Sequence, residues 1–153
     1  AYMGFWDNIK DKAAQMNEGL KAKAGQFKNA SFADASMAMC AMIAAADGTI
    51  DPSERKKTAA FIMNNDTLKL FDASELQEKF NHYCDKLQAD YDFGKIEAIQ
   101  SISKLKKKAD QARAVIQVGI IIGGADGNFD DDEKAAVREA CFAVGISPNE
   151  FDL

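Results

Sequence analysis

One twelve-residue stretch occurs twice in this chain, and a chain that repeats itself must bury two equivalent units against each other. Residues 43–54 read IAAADGTIDPSE and residues 122–133 read IGGADGNFDDDE, an offset of 79 residues. Six of the twelve positions are identical: Ile43/Ile122, Ala46/Ala125, Asp47/Asp126, Gly48/Gly127, Asp51/Asp130 and Glu54/Glu133. An apolar run precedes each copy and a helical pattern follows it. The economical architecture is an all-α helical bundle of about seven to eight helices, duplicated internally with pseudo-twofold symmetry. Val115–Ile122 is β-branched and reads as a strand in isolation. Its counterpart is the Ala/Met-rich run Met37–Ala46, which no strand pattern fits, so both are expected to be buried helices.

Other signals fill in the bundle. Phe5, Ile9, Ala13, Met16 and Leu20 form the stripe of an amphipathic helix, weakened near its end by Gly19 and Gly25. Ser31-x-x-Asp34 reads as a capping box opening a helix from Phe32 to about Ala46. Asp51-Pro52-Ser53-Glu54, Asp72-Ala73-Ser74-Glu75 and Asp130–Glu133 read as further helix starts. Tyr91–Gly94 reads as the junction between halves 5–90 and 91–153, and Gly145 as a stop. The opening residues 1–4 have the look of a cloning remnant, leaving 5–153 as one domain.

Composition narrows the functional classes. With 153 residues, 47% apolar and 28% charged, the chain is an ordinary globule with enough length for a core. No run is long enough to span a bilayer, and no secretory leader is visible, which points to the cytoplasm. Net charge is −5. Residues 1–30 carry five Lys against three acids, and residues 126–153 carry eight acids against Lys134 and Arg138. The acidic end argues against nucleic acid as a partner and favours a cation or a basic protein surface. Cys40, Cys84 and Cys141 are scattered, without a C-x-x-C, and read as buried thiols of a reducing compartment. His82 is the lone histidine and makes no zinc set. No Ser-His-Asp or Cys-His arrangement and no phosphate-cradling glycine motif is present, so the chain reads as non-enzymatic, with no organic cofactor.

The repeated stretch matches the second half of a calcium loop, D-x-[DN]-x-[DN]-G-x5-E. Asp47 and Asp126 take the fifth position, Gly48 and Gly127 the turn, Asp51 and Asp130 the ninth, Glu54 and Glu133 the twelfth. Positions one and three fall on Ile43 and Ala45, or Ile122 and Gly124, which cannot ligate. Each copy is therefore half a loop, and other groups must complete any coordination. Hard oxygens favour Ca²⁺, with Mg²⁺ the alternative. Asp51–Glu54 and Asp130–Glu133 double as capping boxes, whereas no cap requires Asp47 or Asp126. Asp131 and Asp132 add charge to the second copy. Phe5, Trp6, Lys10 and Lys12 on the first helix suit a membrane or partner surface.

FWDNIKDKA at the start, AAADGTIDPSE in the middle and GGADGNFDDDE near the end resemble the TerB-like family of tellurite-resistance proteins, from about Phe5 to Leu153. The resemblance implies an all-helical duplicated fold and a bacterial stress protein linked to resistance to tellurite, phage and pore-forming colicins. It implies partners among the other Ter proteins, including the membrane protein TerC and the calcium-binding TerD, with a place at the inner membrane. The family's acidic residues fall on Asp47, Asp51, Glu54, Asp126, Asp130 and Glu133. Two alternatives to a metal-responsive scaffold stand beside it: a metal-independent acidic interaction module, and thiol-based handling of tellurite.

Overall fold

The computed structural model describes residues 9–153, the side chains of Ile9, Lys10 and Ala24 excepted. Residues 1–4, Phe5, Trp6 and the Lys10 side chain lie outside the described residues. Seven α-helices follow in order: α1 (Ile9–Ala24), α2 (Ala30–Ala44), α3 (Pro52–Asn64), α4 (Ala73–Ala89), α5 (Tyr91–Ser103), α6 (Ala109–Gly123) and α7 (Asp131–Val144). Short 3₁₀ turns at Leu68–Leu70 and Pro148–Phe151 follow α3 and α7. There is no strand among the described residues, and none of their helices is long and apolar enough to cross a membrane.

The repeat extends well beyond the acidic stretch. Adding 79 to the bounds of α2 gives those of α6, and α3 maps onto the start of α7. The backbone bonds that end the buried helices also correspond: Ala45 N to Ala41 O and Gly48 N to Ala45 O in one copy, Gly124 N to Ile120 O and Gly127 N to Gly124 O in the other. α4 has no counterpart and joins the two copies.

Both buried helices are apolar on every side, so they take the centre. From Phe32 to Ala45 only Asp34 is more than slightly exposed, and Val115, Ile116 and Ile120 on α6 are fully buried. The two pack on each other, and Gly119 makes room for Met39, whose Cγ would lie 2.8 Å from an added Cβ. The first helices cross over: α1 packs on α6, and α5 packs on α2. Neither α1 on α2 nor α5 on α6 makes an extensive contact among the described residues.

Three local expectations change. The N-cap of α2 is Asn29, whose Oδ1 accepts from Phe32 N at 2.8 Å, so the helix starts ahead of Ser31 and needs no Ser31–Asp34 box. Asp34 instead accepts from the hydroxyls of Tyr83 and Ser101, tying α2 to α4 and α5. Tyr91–Gly94 is not a loop. Asp90 alone separates α4 from α5, ending one and capping the other through Phe93 N at 3.1 Å. The four lysines 104, 106, 107 and 108, whose place after Ile96, Ile99 and Ile102 suggests the last turn of a helix, do not finish α5. They sit in the turn beyond it, pinned by the buried Leu105.

Candidate functional site

Each acidic loop is built the same way. Gly48 (φ 93°) and Gly127 (φ 83°) adopt the left-handed region that favours glycine, which turns the chain sharply. Ahead of each glycine an aspartate fastens the turn. Asp47 Oδ1 accepts from Thr49 N and Thr49 Oγ1, both at 3.0 Å, and Asp126 Oδ1 accepts from Asn128 N at 2.9 Å. No cap requires these two residues, and each instead makes an Asx-turn. Past the glycine an apolar residue anchors the loop: Ile50 in the first copy, the buried Phe129 in the second. The pairing is compensated in size. Ile50 corresponds to Phe129, and Ala44 to Gly123, whose missing Cβ leaves room for the Phe129 ring at 2.9 Å.

Asp51 and Asp130 then cap α3 and α7. Asp51 Oδ1 accepts from Glu54 N at 2.8 Å, and Asp130 Oδ1 from Glu133 N at 2.8 Å. Only the second copy closes the reciprocal bond, from Asp130 N to Glu133 Oε1 at 3.0 Å. Glu54 turns instead to Lys57. The capping box expected at Asp51–Glu54 is therefore half made.

Because α2 and α6 run side by side in the same direction, their two following loops meet. Asp47, Asp51, Glu54, Asp126, Asp130, Asp132 and Glu133 line one open cleft of about 200 Å³, with Lys57 and Asn128. Asp131 is exposed and is not among the residues lining it. Lys57 spans the gap between copies, with Nζ 3.4 Å from Glu54 Oε1 and 3.2 Å from Asp126 Oδ2. The sequence shows Lys57 as an ordinary i,i+3 partner of Glu54 but gives no sign of its reach to Asp126. Its counterpart in the second repeat is the buried Ala136, so the ammonium belongs to one copy only. Among the described residues, no three carboxylate, imidazole or thiol groups converge closely enough to hold an ion as they stand.

The charges are felt unequally. Burial pushes the Glu133 carboxyl up to about 8, and the nearby Asp130 and Asp126 charges act in the same direction. Asp51 is lowered by its bonds to Glu54 N and Ser53 Oγ, and Lys57 is raised, chiefly by Asp126. A raised carboxyl stabilises the fold below its unfolded value, and that contribution is lost as pH rises through the folded one. Between pH ~5 and ~8 the protein should lose about 1 kcal/mol on this account, solvent screening included, or about 3 °C in Tm. Glu133→Gln retains an acceptor for Asp130 N and should flatten that slope in thermal melts across the same range.

Elsewhere, Lys12 is partly buried on α1, and His82 pairs with Glu97 at 2.6 Å on the surface, with no metal-ligand set around it. All three cysteines are buried and free. Burial pushes Cys84 up to about 12 and Cys141 to about 11, and Cys40 higher still. Thiolate chemistry needs the opposite environment. Ellman's reagent at pH ~8 should leave all three unreacted until denaturant is added.

A family profile described as tellurite resistance protein TerB matches residues 33–153, which includes both acidic loops, α2 from Ala33 onward and every later helix. The chain belongs to the TerB family. A curated TerB relative, the tellurium resistance protein TerB of Alcaligenes sp, is 32% identical over 118 residues, covering 77% of this chain and 97% of its own length. No solved structure matches the chain. Within the TerB match lie both copies of the repeat and Lys57, whereas α1 lies outside it.

Proposed function

We propose that this TerB protein is a non-enzymatic, metal-responsive scaffold of tellurite resistance, which takes up a divalent cation between its two acidic loops. The observation behind this reading is that loops 79 residues apart line one cleft, bridged by an ammonium. Half-loops that cannot coordinate alone make sense as two parts of a joint donor set. Asp47, Asp51, Glu54, Asp126, Asp130 and Glu133 would hold the ion, Ca²⁺ before Mg²⁺, since all donors are hard oxygens. The donor set fits, because a cationic group already stands among it. Binding would require Lys57 to leave its place and the two loops to draw together, changing the surface offered to a partner such as TerC at the inner membrane.

Calorimetric titration with Ca²⁺ and Mg²⁺ tests the reading. Uptake should coincide with amide shifts at both Gly48 and Gly127. Absence of heat, together with an unchanged Tm at millimolar metal, removes the cation from the account.

A second reading has its own support in Lys57. The cleft accommodates a lysine, so a basic side chain from a partner can be received in the same manner without metal. Asp47→Asn with Asp126→Asn would then weaken partner capture equally with and without chelator.

A further inference from the structure

The end of the bundle opposite the cleft carries a different chemistry. α2 and α6 are each 15 residues long, about 22 Å from end to end. Their starts are joined by a hydrogen bond from Asn29 Nδ2 to Gln111 Oε1 at 3.2 Å. The turns leading into them therefore lie side by side. The last turn of α1 displays Lys23, the turn after it Lys28, and the turn ahead of α6 Lys104, Lys106, Lys107 and Lys108, all exposed. None of the six forms an ion pair among the described residues, whereas Lys57, Lys69, Lys79 and Lys95 do. Some of the carboxylates nearby are engaged. Glu150 is held by Arg113 at 2.9 Å, and Asp72 caps α4 through Glu75 N. Asp110 stands in the first turn of α6, where the helix dipole favours it. Leu70, 36% exposed, shares a shallow depression with Lys28, Asp72 and Glu75.

We propose that this lysine end docks the protein on an anionic lipid surface, with Leu70 entering the headgroup layer and the acidic cleft facing away. Three features select that partner. The lysines come from the end of α1 and from two turns and display point charges without any arginine fork, which suits bulk attraction rather than recognition of one bound group. An exposed leucine beside lysines is the composition of an interfacial contact. The cleft lies more than two Debye lengths away, about 8 Å each at physiological ionic strength, so its carboxylates are screened from a surface at the other end. A second copy offering its acidic cleft is the competing occupant, but that cleft already pairs two of its carboxylates with Lys57. The contact differs from Phe5, Trp6, Lys10 and Lys12 and does not depend on cation uptake. It rests on the reading above only for the place of action.

Sedimentation of the full chain with vesicles tests it. Binding is expected to equal mixtures of phosphatidylglycerol and phosphatidylcholine, not to phosphatidylcholine alone, and to vanish at about 0.5 M salt. Lys104→Gln, Lys106→Gln, Lys107→Gln and Lys108→Gln together should weaken partitioning on the order of a thousandfold. Lys56→Gln with Lys86→Gln should leave it unchanged. An environment-sensitive dye on Leu70→Cys should shift to the blue with anionic vesicles, and the same dye on Ser53→Cys should not. Binding that survives the fourfold variant but is lost in Phe5→Ser with Trp6→Ser overturns the inference. So does a blue shift at position 53, or salt-sensitive self-association without vesicle binding.

Discussion

Lys57→Met should bind Ca²⁺ about tenfold more tightly than the unaltered protein, a gain of about 1.4 kcal/mol. The ammonium contacts one carboxylate from each copy of the repeat, Glu54 and Asp126, and so stands where the two donor sets face each other. Removing it withdraws a competing cation and leaves the carboxylates repelling, which an added ion relieves. Methionine keeps much of the side-chain length, and the lost surface pairs should cost less than about 1 kcal/mol of stability. Affinity and stability therefore change in opposite directions, which separates competition from general damage. Calorimetry on both proteins gives the answer: equal or weaker Ca²⁺ binding in Lys57→Met would mean the ammonium does not compete for the cleft.

Gly94→Ala should destabilise the fold by about 3 kcal/mol, lowering Tm by about 10 °C. On an isolated helix the same change would stabilise by up to about 1 kcal/mol, because alanine is the better helix former. Packing reverses the sign. An added Cβ at Gly94 would lie 2.6 Å from Leu87 N and 2.7 Å from Leu87 Cα, and these are backbone atoms that cannot rotate aside. Asp90 is the entire connection between α4 and α5, so the hairpin has little slack to open. α5 is also held on its other sides by α2 and α7. A thermal melt showing equal or greater stability in Gly94→Ala would contradict this close approach.

The two cases mark where sequence reading succeeds and where it stops. The duplicated stretch was legible because identity at a fixed offset needs no knowledge of contacts. It correctly made Val115–Ile122 a helix, against its β-branched composition. Caps at Asp51, Asp72 and Asp130 were legible because the bonds are local, closing within three residues. Asn29 was overlooked as a cap because Ser31 and Asp34 supplied a stronger pattern, while Asp34 was committed elsewhere, to Tyr83 and Ser101. Tyr91–Gly94 reads as a junction because a helix-breaking residue there resembles a turn, and Gly94 is in fact inside α5. Its cause is the Leu87 backbone, on a neighbouring helix. The convergence of both acidic loops on one cleft, and Lys57 between them, depends on how α2 and α6 lie together. No spacing within either copy contains that information.

The crossing of the halves also sets a clock on folding. α1 finds its main apolar partner in α6, whose last residue is Gly123. During synthesis at about 5–20 residues per second, the stripe of α1 waits some ~5–20 s for that surface to be made. Asn17, bonded to Asn65 and Thr67, offers an earlier but only polar hold. α2 meets α4 sooner, yet its contact with α6 waits as long. The nascent chain cannot complete one repeat and then the other. α2, α4 and α5 can pack on one another before α6 is made, and until then the amphipathic α1 lacks its main apolar partner.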